Sequence, residues 1–232
     1  MSNDIWQMIP PLLIMATILS DTETRVLGSL VEKQVTTPEY YPLTLNALTA
    51  ACNQKNNRNP VTSYSEEQVA EALESLREKN LTYVFYGSTS RVPKYKHVVP
   101  EVLHLNDPEM AIMCVLMLRG AQTLGELRGN ASRLYQFSGL EEVEQTLNLL
   151  GSRDPEPLVG RLPRHAGQKE VRFMHLLNGD IAAEPIVDTP MPRRPPQPSS
   201  DRVSILEQEV ASLKSQVEDL QEQFDTFKKQ FE

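Results

Sequence analysis

Ser65-Glu-Glu-Gln-Val-Ala-Glu-Ala-Leu-Glu-Ser-Leu-Arg-Glu-Lys-Asn-Leu-Thr-Tyr-Val-Phe-Tyr-Gly-Ser-Thr-Ser-Arg-Val-Pro-Lys-Tyr-Lys-His97 decides the fold. It opens on a capping-box signature, Ser65 followed three residues later by Gln68. Val69, Leu73 and Leu76 then recur at helical spacing, which predicts an amphipathic helix. The character changes at Leu81. Leu81–Tyr86 and Arg91–His97 are rich in aromatic and β-branched residues and flank the polar run Gly87–Ser90, which predicts a β-hairpin. Pro93 removes a ladder donor, so the second strand is expected at a sheet edge.

The same pattern recurs downstream. Ser138-Gly-Leu-Glu141 predicts another capping box, and Val143, Leu147 and Leu150 match Val69, Leu73 and Leu76 at an offset of 74. Leu158–Leu162, a turn over Pro163–Gly167, and Val171–Leu176 predict a second hairpin. Upstream, Ser20 or Asp21 caps a helix carrying Val26, Leu27, Leu30 and Val31, and Asn106-Asp-Pro-Glu109 caps one carrying Ile112, Met113 and Leu116. That pair is offset by 86, so the first half carries about twelve extra residues, assigned mostly to Asn53–Val61. Three helices followed by a hairpin, twice, predict an α+β, mostly helical fold of two tandem winged-helix domains, 20–100 and 101–177. Each is small for a core of its own, so the two are expected to pack together.

Three stretches carry a resemblance: Leu30-Val-Glu-Lys-Gln-Val-Thr-Thr-Pro-Glu-Tyr-Tyr-Pro-Leu43, Ala51-Cys-Asn-Gln-Lys-Asn-Asn-Arg-Asn-Pro-Val61 and Leu118-Arg-Gly-Ala-Gln-Thr-Leu-Gly-Glu-Leu-Arg128. Over about residues 16–177 the chain resembles the YceH-like family of bacterial proteins. The resemblance implies a tandem winged-helix fold and a start near Ala16, and it brings no catalytic residue or mechanism. Residues 1–19 are accordingly expected to be an N-terminal extension. Their apolar run 5–19 is broken by Pro10 and Pro11, lacks a basic leader and is too short for a membrane span.

Beyond the two domains, Asp188–Ser200 holds five prolines and predicts an extended spacer within a linker, 178–200. From 201 to 232, Val203, Leu206, Val210, Leu213, Val217, Leu220, Phe224 and Phe227 alternate three and four apart, with Phe231 next in the series. Valine at a and leucine at d favour a parallel two-stranded coiled coil, hence a homodimer through the C-terminal helix. Cys52 and Cys114 have no disulfide or metal-ligand pattern and are expected as buried thiols in a reducing, cytoplasmic setting.

The net charge of −8 excludes a global basic field, so any affinity for nucleic acid must come from a local surface. The third helices are acidic: Glu66, Glu67, Glu71, Glu74 and Glu78 in the first, Glu141, Glu142 and Glu144 in the second. The hairpins are basic. Arg91, Lys94 and Lys96 lie on the first, Arg161, Arg164, Lys169 and Arg172 on the second, and Lys55 and Arg58 in the Asn-rich insertion. These nine are the candidate phosphate contacts of a DNA-binding or regulatory module, with double-stranded DNA as the expected partner and a protein-interaction scaffold as the competing reading. The aromatics of the first hairpin, Tyr83, Phe85, Tyr86 and Tyr95, are expected in the core or in cross-strand pairs. The Pro-containing stretch Thr36–Pro42 and the Asn-rich insertion are expected to serve structure. No Gly-rich phosphate loop, metal-ligand spacing or positioned nucleophile is evident, so no catalysis and no cofactor are expected. His97, His165 and His175 fall on or beside hairpins, where a solvated or backbone-bonded imidazole is expected; His104 stands apart from them.

Overall fold

The computed structural model describes residues 18–86, 92–163 and 170–179, which fall in the first of two compact units, Met1–Ala183. The predicted extension up to residue 17, the linker from residue 180 and the whole C-terminal heptad seam lie outside the described residues.

Capping boxes set the helix starts. In α1 (Asp21–Thr36) the Ser20 hydroxyl accepts from the Glu23 N–H, and the Glu23 carboxylate accepts from the Ser20 N–H at 2.6 Å. Asn106 and Glu109 do the same for α5 (Asp107–Arg119), and Ser65 and Gln68 for α3 (Glu66–Glu78). Each satisfies two backbone donors that a helix start leaves orphaned. The box expected at Ser138 does not form. The last helix, α7 (Leu140–Gly151), has Gly139 at its N-cap, and Glu142 reaches back to accept from both the N–H and the hydroxyl of Ser138. The hydroxyl that was expected to accept therefore donates.

Between these helices lie β1 (Leu43–Thr44), α2 (Leu45–Cys52), β2 (Thr82–Phe85), β3 (Lys94–His97), α4 (Val99–Leu103) and α6 (Leu124–Ala131), and after α7 come β4 (Val159–Arg161) and β5 (Phe173–His175). The chain is thus mixed α+β, about half helical over the described residues, with small antiparallel sheets. The helix starts keep both offsets to the residue: Asp21 and Asp107 differ by 86, Glu66 and Leu140 by 74. The intermediate pair α2 and α6 is offset by 79, so the extra residues of the first half are split. More of them lie before α2 than in the Asn-rich insertion. The boundary expected between residues 100 and 101 falls inside α4.

Pro93 does not place β3 at an edge. The sheet order is β1-β3-β2, with β3 paired on both sides, because Pro93 precedes the first ladder residue and removes no bond from it. The second half has a two-stranded counterpart, β4-β5, and an isolated bridge, Gln122 to Phe173, where the first half has β1.

One connected cluster of buried apolar side chains runs through both halves. At its centre α1 crosses α5. Val26, Leu27 and Leu30 are fully buried, as are Ile112, Met113 and Leu116 at the corresponding positions. The helices approach so closely at Gly28 that an added Cβ would lie 3.0 Å from Leu118 Cδ2 and from Met117 Cβ. The Cys114 thiol donates to the Gly28 carbonyl at 3.5 Å, and Gly28 and Cys114 are themselves related by the offset of 86. Both cysteines are free and buried. Backbone bonds tie the two halves as well: Leu19 N–H donates to the Leu177 carbonyl at 2.8 Å, and Asn59 N–H to the Leu118 carbonyl at 2.9 Å.

Candidate nucleic-acid interface

The register of β2 and β3 sorts the first hairpin into two faces. Tyr83 is opposite Lys96 and Phe85 opposite Lys94, while Thr82 faces His97 and Val84 faces Tyr95. Side chains alternate along a strand, so the first two pairs share one face and the last two the other. The inner face carries the buried Thr82 and His97, and Tyr95 packs against the core. On the outer face the Lys96 ammonium lies 5.7 Å from the centre of the Tyr83 ring, a cation–π contact. Phe85 remains 45% exposed and Tyr86 70% exposed. Among the described residues neither Lys94 nor Lys96 pairs with a carboxylate. The expectation that the hairpin aromatics are core or cross-strand pairs holds for Tyr95 and Tyr83. It misses the exposure of Phe85 and Tyr86.

His97 ends this hairpin on the inside. Its backbone N–H donates to the Tyr41 hydroxyl at 2.8 Å, and its Nδ1 accepts from the Val99 N–H at 3.3 Å. Its Nε2 is buried without a partner. Burial, reinforced by Lys96, pushes its pKa down to about 4. His175 ends the second hairpin in the same way, buried and pushed down to about 4 by desolvation. Neither imidazole is solvated, because each closes the inner end of its sheet; His104 is exposed in the left-handed region that ends α4.

The two described cations of the second hairpin, the exposed Arg161 and the half-buried Arg172, contact groups of their own half. Arg172 donates to the Ala121 carbonyl at 2.8 Å and to the Glu126 carboxylate at 3.1 Å. The Thr123 N–H and the Arg172 guanidinium hold the Glu126 carboxyl below the usual carboxylate range. Arg161 lies 5.5 Å from the centre of the Phe173 ring and donates to Asn148 Oδ1 of α7 at 3.3 Å. The outward positions of β4 and β5 are Gly160 and Met174, which face each other across the ladder.

Arg58, predicted as a phosphate contact, is a structural side chain. It is 6% exposed, pairs with Glu32 at 2.7 Å, and donates to the carbonyls of Ala51 and Asn57. Arg25 is buried beside it and donates to the carbonyls of Cys52 and Pro60 and to the Thr62 hydroxyl. Asn53 clamps Tyr64 in both directions at 2.8 Å. The Asn-rich insertion is therefore pinned by two buried guanidiniums and serves structure, as expected. Lys55 alone of its cations is exposed. Arg91, Arg164 and Lys169, like the eight seam residues from Val203 to Phe227, lie outside the described residues.

The third helices keep the electrostatic character read from the sequence. Glu66, Glu67, Glu71, Glu74 and Glu78 of α3 are all exposed, and Arg77 offsets them through an exposed pair with Glu74. Among the described residues no group of three histidines, cysteines or carboxylates could hold a metal ion. No described helix is long and apolar enough to cross a membrane. A crevice between the halves, lined by Glu32, Thr36, Asn57, Arg119, Asn130 and Arg133, has a volume of about 30 Å³. That suits one or two waters.

Residues 19–168 match the family described as "Protein of unknown function, DUF480". The chain is 51% identical over 221 residues to a "UPF0502 protein" of Pelobacter propionicus, covering 94% of this chain and all of that one. It is 50% identical over 197 residues to a "UPF0502 protein" of Opitutus terrae, covering 85% and 84% of the two chains. A third relative, from Enterobacter sp., is 48% identical over 202 residues, covering 84% and 93%.

Proposed function

We propose a function for this chain, which belongs to the family described as protein of unknown function, DUF480: it is a tandem winged-helix module that acts by binding DNA, without turning over a substrate. The three-helix-plus-hairpin order of each half supports the winged-helix reading. The observation that carries DNA binding is the outer face of the first hairpin, where Lys94 and Lys96 stand side by side and meet no carboxylate among the described residues. Released counterions supply the free energy of such contacts, so affinity falls as salt rises. The second hairpin contributes less, since Arg161 and Arg172 are already engaged. The heptad seam 201–232 joins two copies in the cytoplasm, and the Pro-rich spacer sets the effective concentration of the second module at a paired site.

A protein scaffold is the second reading, favoured by the five exposed glutamates of α3, which suit a basic partner surface. Titrating labelled duplex DNA at two salt concentrations separates the two. DNA binding predicts salt-sensitive affinity that the Lys94→Gln/Lys96→Gln variant loses; no binding at low salt moves the weight to the scaffold. Sedimentation of the full chain against one lacking 201–232 tests the dimer, and an unchanged monomer mass refutes it.

A further inference from the structure

We propose that the outer face of the first hairpin is a stacking platform for unpaired bases, so that the nucleic acid this protein takes is single-stranded. This rests on the DNA-binding reading above and names the substrate class of the same surface. Phosphate attraction accounts for Lys94 and Lys96. It does not account for the rings beside them.

On that face Phe85 is 45% exposed, and Tyr86, just past the end of the ladder, is 70% exposed, whereas Phe137 and Phe173 are 6% and 5% exposed. Tyr40, outside the hairpins, is 72% exposed as well, but the second hairpin has no such ring on its strands: the outward positions of β4 and β5 are Gly160 and Met174. Each outer-face ring sits directly opposite a lysine, Tyr83 against Lys96 and Phe85 against Lys94. Successive pairs along the ladder are about 7 Å apart. A strand laid along this face would place a base against each ring and a phosphate near each ammonium. Two such pairs grip two or three nucleotides.

A duplex cannot use the rings, because its base faces are already covered by their neighbours in the stack and only base edges reach the grooves. An unpaired strand offers a π-face at every base, and stacking on an aromatic side chain accepts any base. Phe85, whose ring carries no cation among the described residues, is the open platform. At Tyr83 the Lys96 ammonium already lies over the ring and moves to the phosphate when a base takes its place.

The full chain is titrated by fluorescence anisotropy with labelled 20-nucleotide oligothymidine, the matching oligouridine and a 20-base-pair duplex. Three proteins are compared, all checked by circular dichroism: wild type, Tyr83→Leu/Phe85→Leu and Lys94→Gln/Lys96→Gln. Leucine keeps apolar bulk and removes the π-face. The platform predicts single strands bound at least tenfold tighter than duplex, and a loss of roughly tenfold or more on single strands in the leucine variant. Its duplex binding stays unchanged, whereas the glutamine variant weakens on both. Preference for oligothymidine supports the platform on DNA, whereas preference for oligouridine supports the platform and overturns DNA as its ligand in favour of RNA. Duplex bound as tightly as single strands, with no effect of leucine, overturns the platform and leaves the DNA reading standing. No binding of any oligonucleotide at low salt overturns both. If the double leucine variant fails to fold, Phe85→Leu at its exposed site gives the same readout with about half the logarithmic loss.

Discussion

The two hairpins start from similar sequences and end with opposite surfaces. Each follows the third helix of its half, each carries several cations, and each buries a histidine at the inner end of its second strand. In the first hairpin Lys94 and Lys96 share the outer face with Tyr83 and Phe85. In the second, Arg172 shares the outer face with Gly160 and Met174 but reaches the Ala121 carbonyl and Glu126, and Arg161 covers the Phe173 ring on the other face. A count of positive charges makes the hairpins look alike. What separates the half-buried Lys94 and Lys96 from Arg172 is whether a carboxylate or carbonyl lies within reach, since all three stand on the outward side of their ladders. Arginine accentuates the difference, since its fork satisfies two acceptors at once while lysine remains a hydrated point charge.

The largest expected effect concerns the cation that is most fully turned inward. Arg58→Ala leaves the Glu32 carboxylate partly buried without its 2.7 Å partner, and the Ala51 and Asn57 carbonyls lose their donor. Urea denaturation should show a loss of about 3–5 kcal/mol. A loss under about 1 kcal/mol would mean that Arg58 belongs with the outward cations after all.

Acid sharpens the likeness between the hairpins. The unfolded chain protonates its histidines as pH falls through 6.5, but folded His97 and His175 resist until about 4. Their depressed pKa therefore leaves stability intact above 6.5 and removes it between 6.5 and 4. Each accounts for about 3 kcal/mol over that window, at 1.36 kcal/mol per pKa unit. Replacing either histidine by glutamine should remove about half of the acid-dependent slope in denaturation profiles taken across that range. A slope unchanged by both replacements would show that the two imidazoles are solvated.

A smaller contrast separates stability from binding. Arg172→Gln should cost about 1 kcal/mol, because a half-exposed ion pair and one carbonyl contact are lost. Lys94→Gln/Lys96→Gln should cost less, within about 0.5 kcal/mol of wild type in a thermal melt, because these half-buried lysines have no carboxylate partner among the described residues and only the Lys96–Tyr83 ring contact is lost. Equal destabilisation by both would erase the distinction between cations with and without a carboxylate within reach.

Much of this fold is legible in the sequence because local chemistry writes it. Capping residues mark α1, α3 and α5, apolar periodicity marks the buried faces, and the two offsets survive to the residue. What escapes is set by partners distant in sequence. Arg58 is neutralised by Glu32, 26 residues away, and Arg172 by Glu126, 46 residues away. No window reveals such a pairing. β1 is two residues long, too short for any period, yet it makes β3 a central strand and so defeats the inference from Pro93. The outward placement of Tyr83 and Phe85 depends on ladder register, and a shift by one residue would have exchanged them with Thr82 and Val84.

The slope of logarithmic affinity against logarithmic salt, measured on one duplex for the wild type and for variants of each hairpin, tests most directly whether the first hairpin is the phosphate-binding surface. Losing two phosphate contacts should lower the slope by about 2 in Lys94→Gln/Lys96→Gln. Arg161→Gln/Arg172→Gln should lower it by less than about 1. Equal slopes for wild type and the lysine variant, or a drop confined to the arginine variant, would contradict the account.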